Sequence, residues 1–172
     1  VLTSRRMEIL AAEIHTLADG IVLDRFYVQD AEGLPSDERL DATCRDLVAS
    51  LKHPADEPPR FPKLWGVQSP SDAARELEAP TQIRVDNDTS EQFTIIDVFA
   101  RDRMGLLYTI ARQLYELELS VHMAKIGTHI DQVVDVFYVT DREHNQITDE
   151  SQIATIRRRL LEEITAFEEA NA

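Results

Sequence analysis

The chain carries a near-copy of one of its own stretches, and that repeat limits the folds open to it more than any other feature. Val22-Leu23-Asp24-Arg25-Phe26-Tyr27-Val28-Gln29-Asp30 matches Val133-Val134-Asp135-Val136-Phe137-Tyr138-Val139-Thr140-Asp141 at an offset of 111, with six of nine positions identical. Upstream, Ala12-Glu13-Ile14-His15-Thr16 matches Ala124-Lys125-Ile126-Gly127-Thr128 at an offset of 112. The one-residue difference falls between the two blocks, where a hairpin turn tolerates a change of length. Asp19-Gly20 is itself a two-residue hairpin signal. Two strands joined by a tight turn are therefore predicted twice.

A helix is expected after each hairpin. Leu40, Cys44, Leu47 and Leu51 recur at spacings of three and four after a Ser36 N-cap. Ile153, Ile156, Leu160, Ile164 and Phe167 do the same in the second copy, with Thr148 as the expected cap. The second copy also shows what precedes its hairpin. Residues 93–100 are β-branched and aromatic and read as a strand, and a helix carrying Leu107, Ile110, Ala111, Leu114 and Leu117 follows. The unit is strand, helix, strand, strand, helix, an α+β, ferredoxin-like plan with antiparallel sheets, present in two copies. Projection by 112 sets Val1 opposite Gln113, so the first copy is expected to lack its opening strand and most of its first helix.

The predicted organisation is a partial first unit at 1–52, a connector at 53–80 and a second unit at 81–172. The connector holds Pro54, Pro58, Pro59, Pro62 and Pro70, five of the seven prolines, with Phe61, Leu64 and Trp65 as anchors. Residues 81–86 are expected to fill a sheet edge, pairing antiparallel with 93–100 through a turn at Asn87-Asp88-Thr89.

Composition acts mainly by exclusion. A net charge of -14, from 32 acids and 18 bases, repels phosphate backbones and anionic membranes, so neither nucleic acid nor membrane is an expected partner. Arg157-Arg158-Arg159 reads as the solvated face of a helix. No secretory signal opens the chain, which is read as a fragment. Cys44 is the sole cysteine; without a disulfide framework a reducing cytoplasm fits, and Cys44 is expected to be a small buried hydrophobe.

Catalytic patterns are missing as well. Nucleotidyl transfer needs Gly-Ser ahead of an Asp-x-Asp that holds Mg²⁺. Asp86-Asn87-Asp88 has no such pair upstream and reads as a turn. No histidine is followed by Asp, and His122 and His129 fall on opposite faces of one predicted strand. No catalytic residue, metal ligand or cofactor is expected in this segment.

One local feature suits a ligand. In Ala100-Arg101-Asp102-Arg103-Met104-Gly105-Leu106-Leu107 a strand ends and a helix begins with glycine near its first turn. Backbone N–H groups at a helix start attract a carboxylate, and glycine lets a ligand approach the backbone. Asp102 is placed either to cap the helix or to hold an ammonium group.

This loop, together with Val134-Asp135-Val136-Phe137-Tyr138-Val139, resembles an ACT domain. The chain as a whole resembles the paired C-terminal ACT domains of the bacterial bifunctional uridylyltransferase/uridylyl-removing enzymes that modify the PII signalling protein. The resemblance implies a regulatory module that binds glutamine and controls upstream catalytic domains, where Mg²⁺ is required. Self-association through sheet edges is a further expectation. ACT ligands sit between the first strand–helix loop of one domain and the second strand of its neighbour. Carried over, the site residues are Asp102, Arg103, Met104, Gly105, Leu106 and Leu107, with Ser120 and Glu8 at the second-strand positions. Met104 stands where the family commonly has proline, and Ser120 and Glu8 where it has an amide. A glutamate at that position repels a ligand carboxylate.

Overall fold

The element order in the computed structural model is β1 (Met7–Thr16), β2 (Val22–Asp30), α1 (Asp37–Lys52), β3 (Gln82–Asp86), β4 (Thr94–Arg101), α2 (Leu106–Glu116), β5 (Ser120–His129), β6 (Gln132–Thr140) and α3 (Glu150–Ala170). It describes residues 1, 2, 5, 7–16, 21–30, 35–52, 80–101, 103–129 and 132–171, with the backbone alone for Glu8, Thr16, Thr128, His129, Gln132 and Val133. The Asp19-Gly20 turn and the connector anchors Phe61, Leu64 and Trp65 lie outside the described residues.

The strands form one antiparallel sheet in the order β2-β1-β5-β6-β4-β3. The expected edge is present: Gln82 to Asp86 pair with Phe99 to Ile95. Asp86 closes the turn by accepting from the N–H groups of Asp88 and Thr89 at 2.7 and 3.1 Å, so this Asp-x-Asp is a hairpin device.

The two hairpins are alike beyond their sequences. Ala12 pairs with Phe26 in one, and Ala124 with Phe137 in the other. Each register slips once, between Ile9 and Ala11 in β1 and between Val121 and Met123 in β5, positions that the offset of 112 maps onto each other. The bulge was not evident from the residues, because Leu10 and His122 at its centre share no chemistry.

The hairpins meet through β1 and β5. Ala12 pairs with Ile126 and Ile14 with Ala124, so each residue faces the counterpart of the other. The local two-fold runs between Glu13 and Lys125, which are directly paired and are themselves counterparts. Side chains directly across an antiparallel pair interact, and opposite charges there are favourable.

α2 and α3 cover one face of the sheet. Ile110, Leu114, Ile156, Leu160 and Ile164 bury against Ile96, Val98, Phe137 and Val139. Each such side chain contributes about 1.5–3 kcal/mol of transfer free energy. The α3 periodicity is as read. Its cap is corrected, since Asp149 rather than Thr148 accepts the Gln152 N–H, at 2.8 Å. Asp has the shorter, charged acceptor and takes the position nearer the helix. Ala111 is exposed and Gln113 buried, so the buried stripe of α2 lies slightly rotated from the expected one. Arg157, Arg158 and Arg159 are exposed, with Arg158 paired to Glu162 one turn on.

The first copy is covered differently. Ser36 caps α1 as expected, accepting the Arg39 N–H at 3.3 Å. Counting from the caps, an offset of 149 − 36 = 113 places Thr43, Leu47 and Leu51 opposite Ile156, Leu160 and Ile164. Thr43 is buried, but Leu47 and Leu51 are 37% and 83% exposed. Cys44 is exposed too, against expectation. The reason is geometric: α3 packs on α2, and among the described residues α1 has no such helix partner. Phe26 is likewise 40% exposed, whereas its counterpart Phe137 is 3% exposed. α1 is held instead by charge, through Arg39 to the buried Asp30 at 2.6 Å and Arg5 Nε to Asp46 at 2.7 Å. No described helix is long and apolar enough to cross a membrane.

The seam makes a direct prediction. Glu13→Lys places like charges across the local axis and also breaks the Glu13–Arg25 ion pair of 3.1 Å; it lowers stability by about 0.5–1 kcal/mol, and adding Lys125→Glu recovers only the part that belongs to the axis. Urea unfolding of the four members of this cycle measures the coupling; a coupling of zero removes the role assigned to the pair.

Candidate functional site

The loop after β4 is shaped by one backbone conformation. Gly105 caps α2 with φ 97° and ψ −7°, in the left-handed region. A side chain there meets its own carbonyl, so glycine is required whether or not a ligand approaches. The Leu106 N–H turns back to the Arg103 carbonyl at 3.0 Å, and the Thr109 N–H and hydroxyl both reach the Gly105 carbonyl, at 3.0 and 3.2 Å. Leu106 is buried in the core and Leu107 packs partly against it, so these two side chains anchor the loop. Met104 is half-buried. Arg103 is half-buried and donates from Nη1 to the Asn171 carbonyl, which ties the loop to the end of α3. Asp102 lies outside the described residues.

Strand register decides which candidates share an end of the sheet. Arg101 pairs with Gln132, Gln132 with His129, and Gly127 with Ala11. The loop therefore lies at the end of the sheet where β1 starts, and the backbone of Glu8 is at that end. Between β4 and β1 stand β6 and β5, roughly 14 Å of sheet width. Ser120 pairs with Thr140 at the far end of β5, about 30 Å from the loop. The fold brings Glu8 and the loop to one end and sends Ser120 to the other.

Around Ser120 the far end has its own cluster. His122 occupies the β5 bulge with Nε2 2.8 Å from the Thr140 hydroxyl. Its ring lies 5.1 Å from Phe93 and 5.7 Å from His144, which has a positive φ of 62°. Burial holds the His122 pKa below its ordinary value of 6.5, and the neighbouring His144 lowers it further. Bulges re-aim side chains and gather near functional sites; His122 was weighed only as a metal ligand from the sequence. Asp135 was also missed. It is buried on the helix-covered face and accepts the Gly127 N–H at 3.4 Å, and an acid repeated in both apolar blocks was the available signal.

A shallow cavity of about 550 Å³ opens elsewhere, at the β3 edge, lined by Ile83, Arg84, Val85, Asp86, Asp97 and Arg157. Desolvation raises the Asp97 pKa, Asp86 adds to the rise, and Arg84 opposes it. Among the described residues no three His, Cys, Asp or Glu side chains gather as a metal site.

A family profile described as "ACR9-like, ACT-like domain" matches residues 82–167, half of the chain. The chain belongs to the ACT-like domain family. It is also similar over nine-tenths of its length to bifunctional uridylyltransferase/uridylyl-removing enzymes. Identity is 35% over 161 residues with that of Azospirillum brasilense, covering 93% of this chain and 17% of the relative. It is 37% over 155 residues with that of Erythrobacter litoralis (strain HTCC2594), covering 90% and 17%. For Phenylobacterium zucineum (strain HLK1) it is 30% over 176 residues, covering 99% and 18%. The chain thus spans less than a fifth of the length of these relatives. No solved structure matches it. The family profile spans β3 through most of α3, so the ACT-like loop after β4 and the β5–β6 hairpin lie inside it.

Two measurements follow from this geometry. Gly105→Ala is expected to lower stability by about 1 kcal/mol from the left-handed backbone alone, read by chemical unfolding, so its effect on any ligand must be corrected for folding. His122 favours the neutral ring in the fold, so the unfolded chain binds a proton more readily. Stability is therefore full above pH 6.5 and falls as pH drops through and below that value. In His122→Gln, thermal unfolding between about pH 7.5 and 5 loses that part of the slope.

Proposed function

We propose that this chain is the regulatory, amino-acid-sensing part of a larger enzyme, that it is not itself catalytic, and that glutamine is its ligand. The observation that carries the reading is the loop at 102–107. It is a glycine-capped helix start within the span of the ACT-like profile, and it shares a sheet end with the opening of β1. An amino acid has a carboxylate for the helix start and an ammonium group for Asp102. The parent is read as a uridylyltransferase/uridylyl-removing enzyme, because the similar enzymes bear that name; PII as its partner and the cytoplasm as its place rest on the sequence reading alone. Its Mg²⁺ requirement belongs to the catalytic part. Ligand then controls the parent only as far as it prefers one arrangement of the two repeats over another.

A second reading rests on β2. Its nine residues form one of the two outer strands of the sheet among the described residues, with Val22, Leu23, Phe26 and Tyr27 exposed. An exposed apolar edge invites strand addition, so the segment serves assembly and needs no ligand.

Calorimetric titration separates the two. The sensing reading expects saturable heat from L-glutamine, little from L-glutamate, and a loss of affinity of about tenfold or more in Asp102→Ala, a charge-assisted contact being worth about 1.5–3 kcal/mol. Self-association that glutamine leaves unchanged, with no heat, favours assembly.

A further inference from the structure

The last turn of α3 carries Glu168 and Glu169 and no basic residue. Negative charge at a helix C-terminus opposes the helix dipole, so these acids do not serve the helix itself. Glu168 has other partners. Both of its carboxylate oxygens accept from the Thr81 hydroxyl at 2.9 Å, and Oε1 also accepts the Arg101 N–H at 3.4 Å. Thr81 is the residue just before β3, and Arg101 is the last residue of β4, where the candidate loop begins. Three residues further along α3, the Asn171 carbonyl accepts from Arg103 within that loop. The loop thus brings to α3 the cation that its own last turn lacks. One helical turn grips two segments that lie 20 residues apart in the chain.

We propose that this turn couples the loop at 101–107 to the start of β3 at Thr81, with Glu168 as the positioning residue. A loop displacement has to carry Glu168 along or release it, and either event reaches Thr81. The contacts stand on geometry alone; their use as a relay rests on the ligand-sensing reading above, and the experiment keeps the two apart.

The test is amide hydrogen exchange on the 172-residue chain and on the variants Thr81→Val and Glu168→Ala. Thr81→Val removes one hydroxyl donor and keeps the side-chain shape. Coupling predicts faster exchange in both 80–86 and 101–107, by about tenfold, the order expected for loss of a hydrogen bond to a charged group, with β5 and β6 unchanged. Glu168→Ala should loosen the same two segments together. If Thr81→Val changes 80–86 alone, Glu168 is a local tether and the coupling is wrong. Addition of L-glutamine gives the second arm. Protection that spreads from 101–107 to 80–86 in the parent chain, but stops at the loop in Glu168→Ala, supports the relay; equal spread in both overturns it. If glutamine protects nothing in the parent chain, the sensing reading fails and the relay with it. The exchange behaviour of Thr81→Val still decides the coupling.

Discussion

Everything in this architecture depends on the antiparallel seam between β1 and β5. Five register pairs, from Ala11–Gly127 to His15–Met123, turn two hairpins into one six-stranded sheet. The backbone hydrogen bonds of the seam are indifferent to side chains, so its register has to come from elsewhere. Ala12, Ala124 and Ile126 are buried on the helix-covered face and Ile14 is partly so, and a slip by one residue would turn them all to the open face. On that open face Glu13 and Lys125 oppose each other. Apolar burial sets the phase, and charge marks the centre.

The seam also sets the geometry of the candidate site. It brings the opening of β1 to the end of the sheet where the loop after β4 lies, and it places Ser120 at the other end. The described part of the loop contributes a left-handed glycine and a helix start, and β1 contributes a strand opening. Leu106 and Leu107 belong to the core, and Arg103 to the end of α3.

Much of this was legible in the residues, for identifiable reasons. A nine-residue block cannot recur by accident with its turn displaced by one position, so the two hairpins followed, and the β3 edge followed from the lack of a strand after α3. The helix periodicities predicted α2 and α3 because most of their apolar positions are buried as the pattern requires, with the stripe of α2 rotated so that Gln113 is buried and Ala111 exposed. The same periodicity misled in α1. Leu47, Leu51 and Cys44 have the spacing of a core face, yet they are exposed, since burial needs a partner surface and periodicity does not show whether one exists. The paired bulges were hidden because a bulge is a property of register between strands. The grip of Glu168 on Thr81 and Arg101 joins residues 87 and 67 positions apart and left no local trace.

The position of Glu13 and Lys125 on the local two-fold has one more consequence. In a symmetric dimer of identical chains, a residue on the axis meets its own copy, so acid faces acid or base faces base. No single-copy sequence can place opposite charges there. Carrying both hairpins in one chain lifts that restriction, and each copy can then differ where the symmetry would otherwise bind it. The bulge residues Leu10 and His122 have already diverged in this way. The two ends of the sheet, built alike, are thereby free to answer to different chemistry.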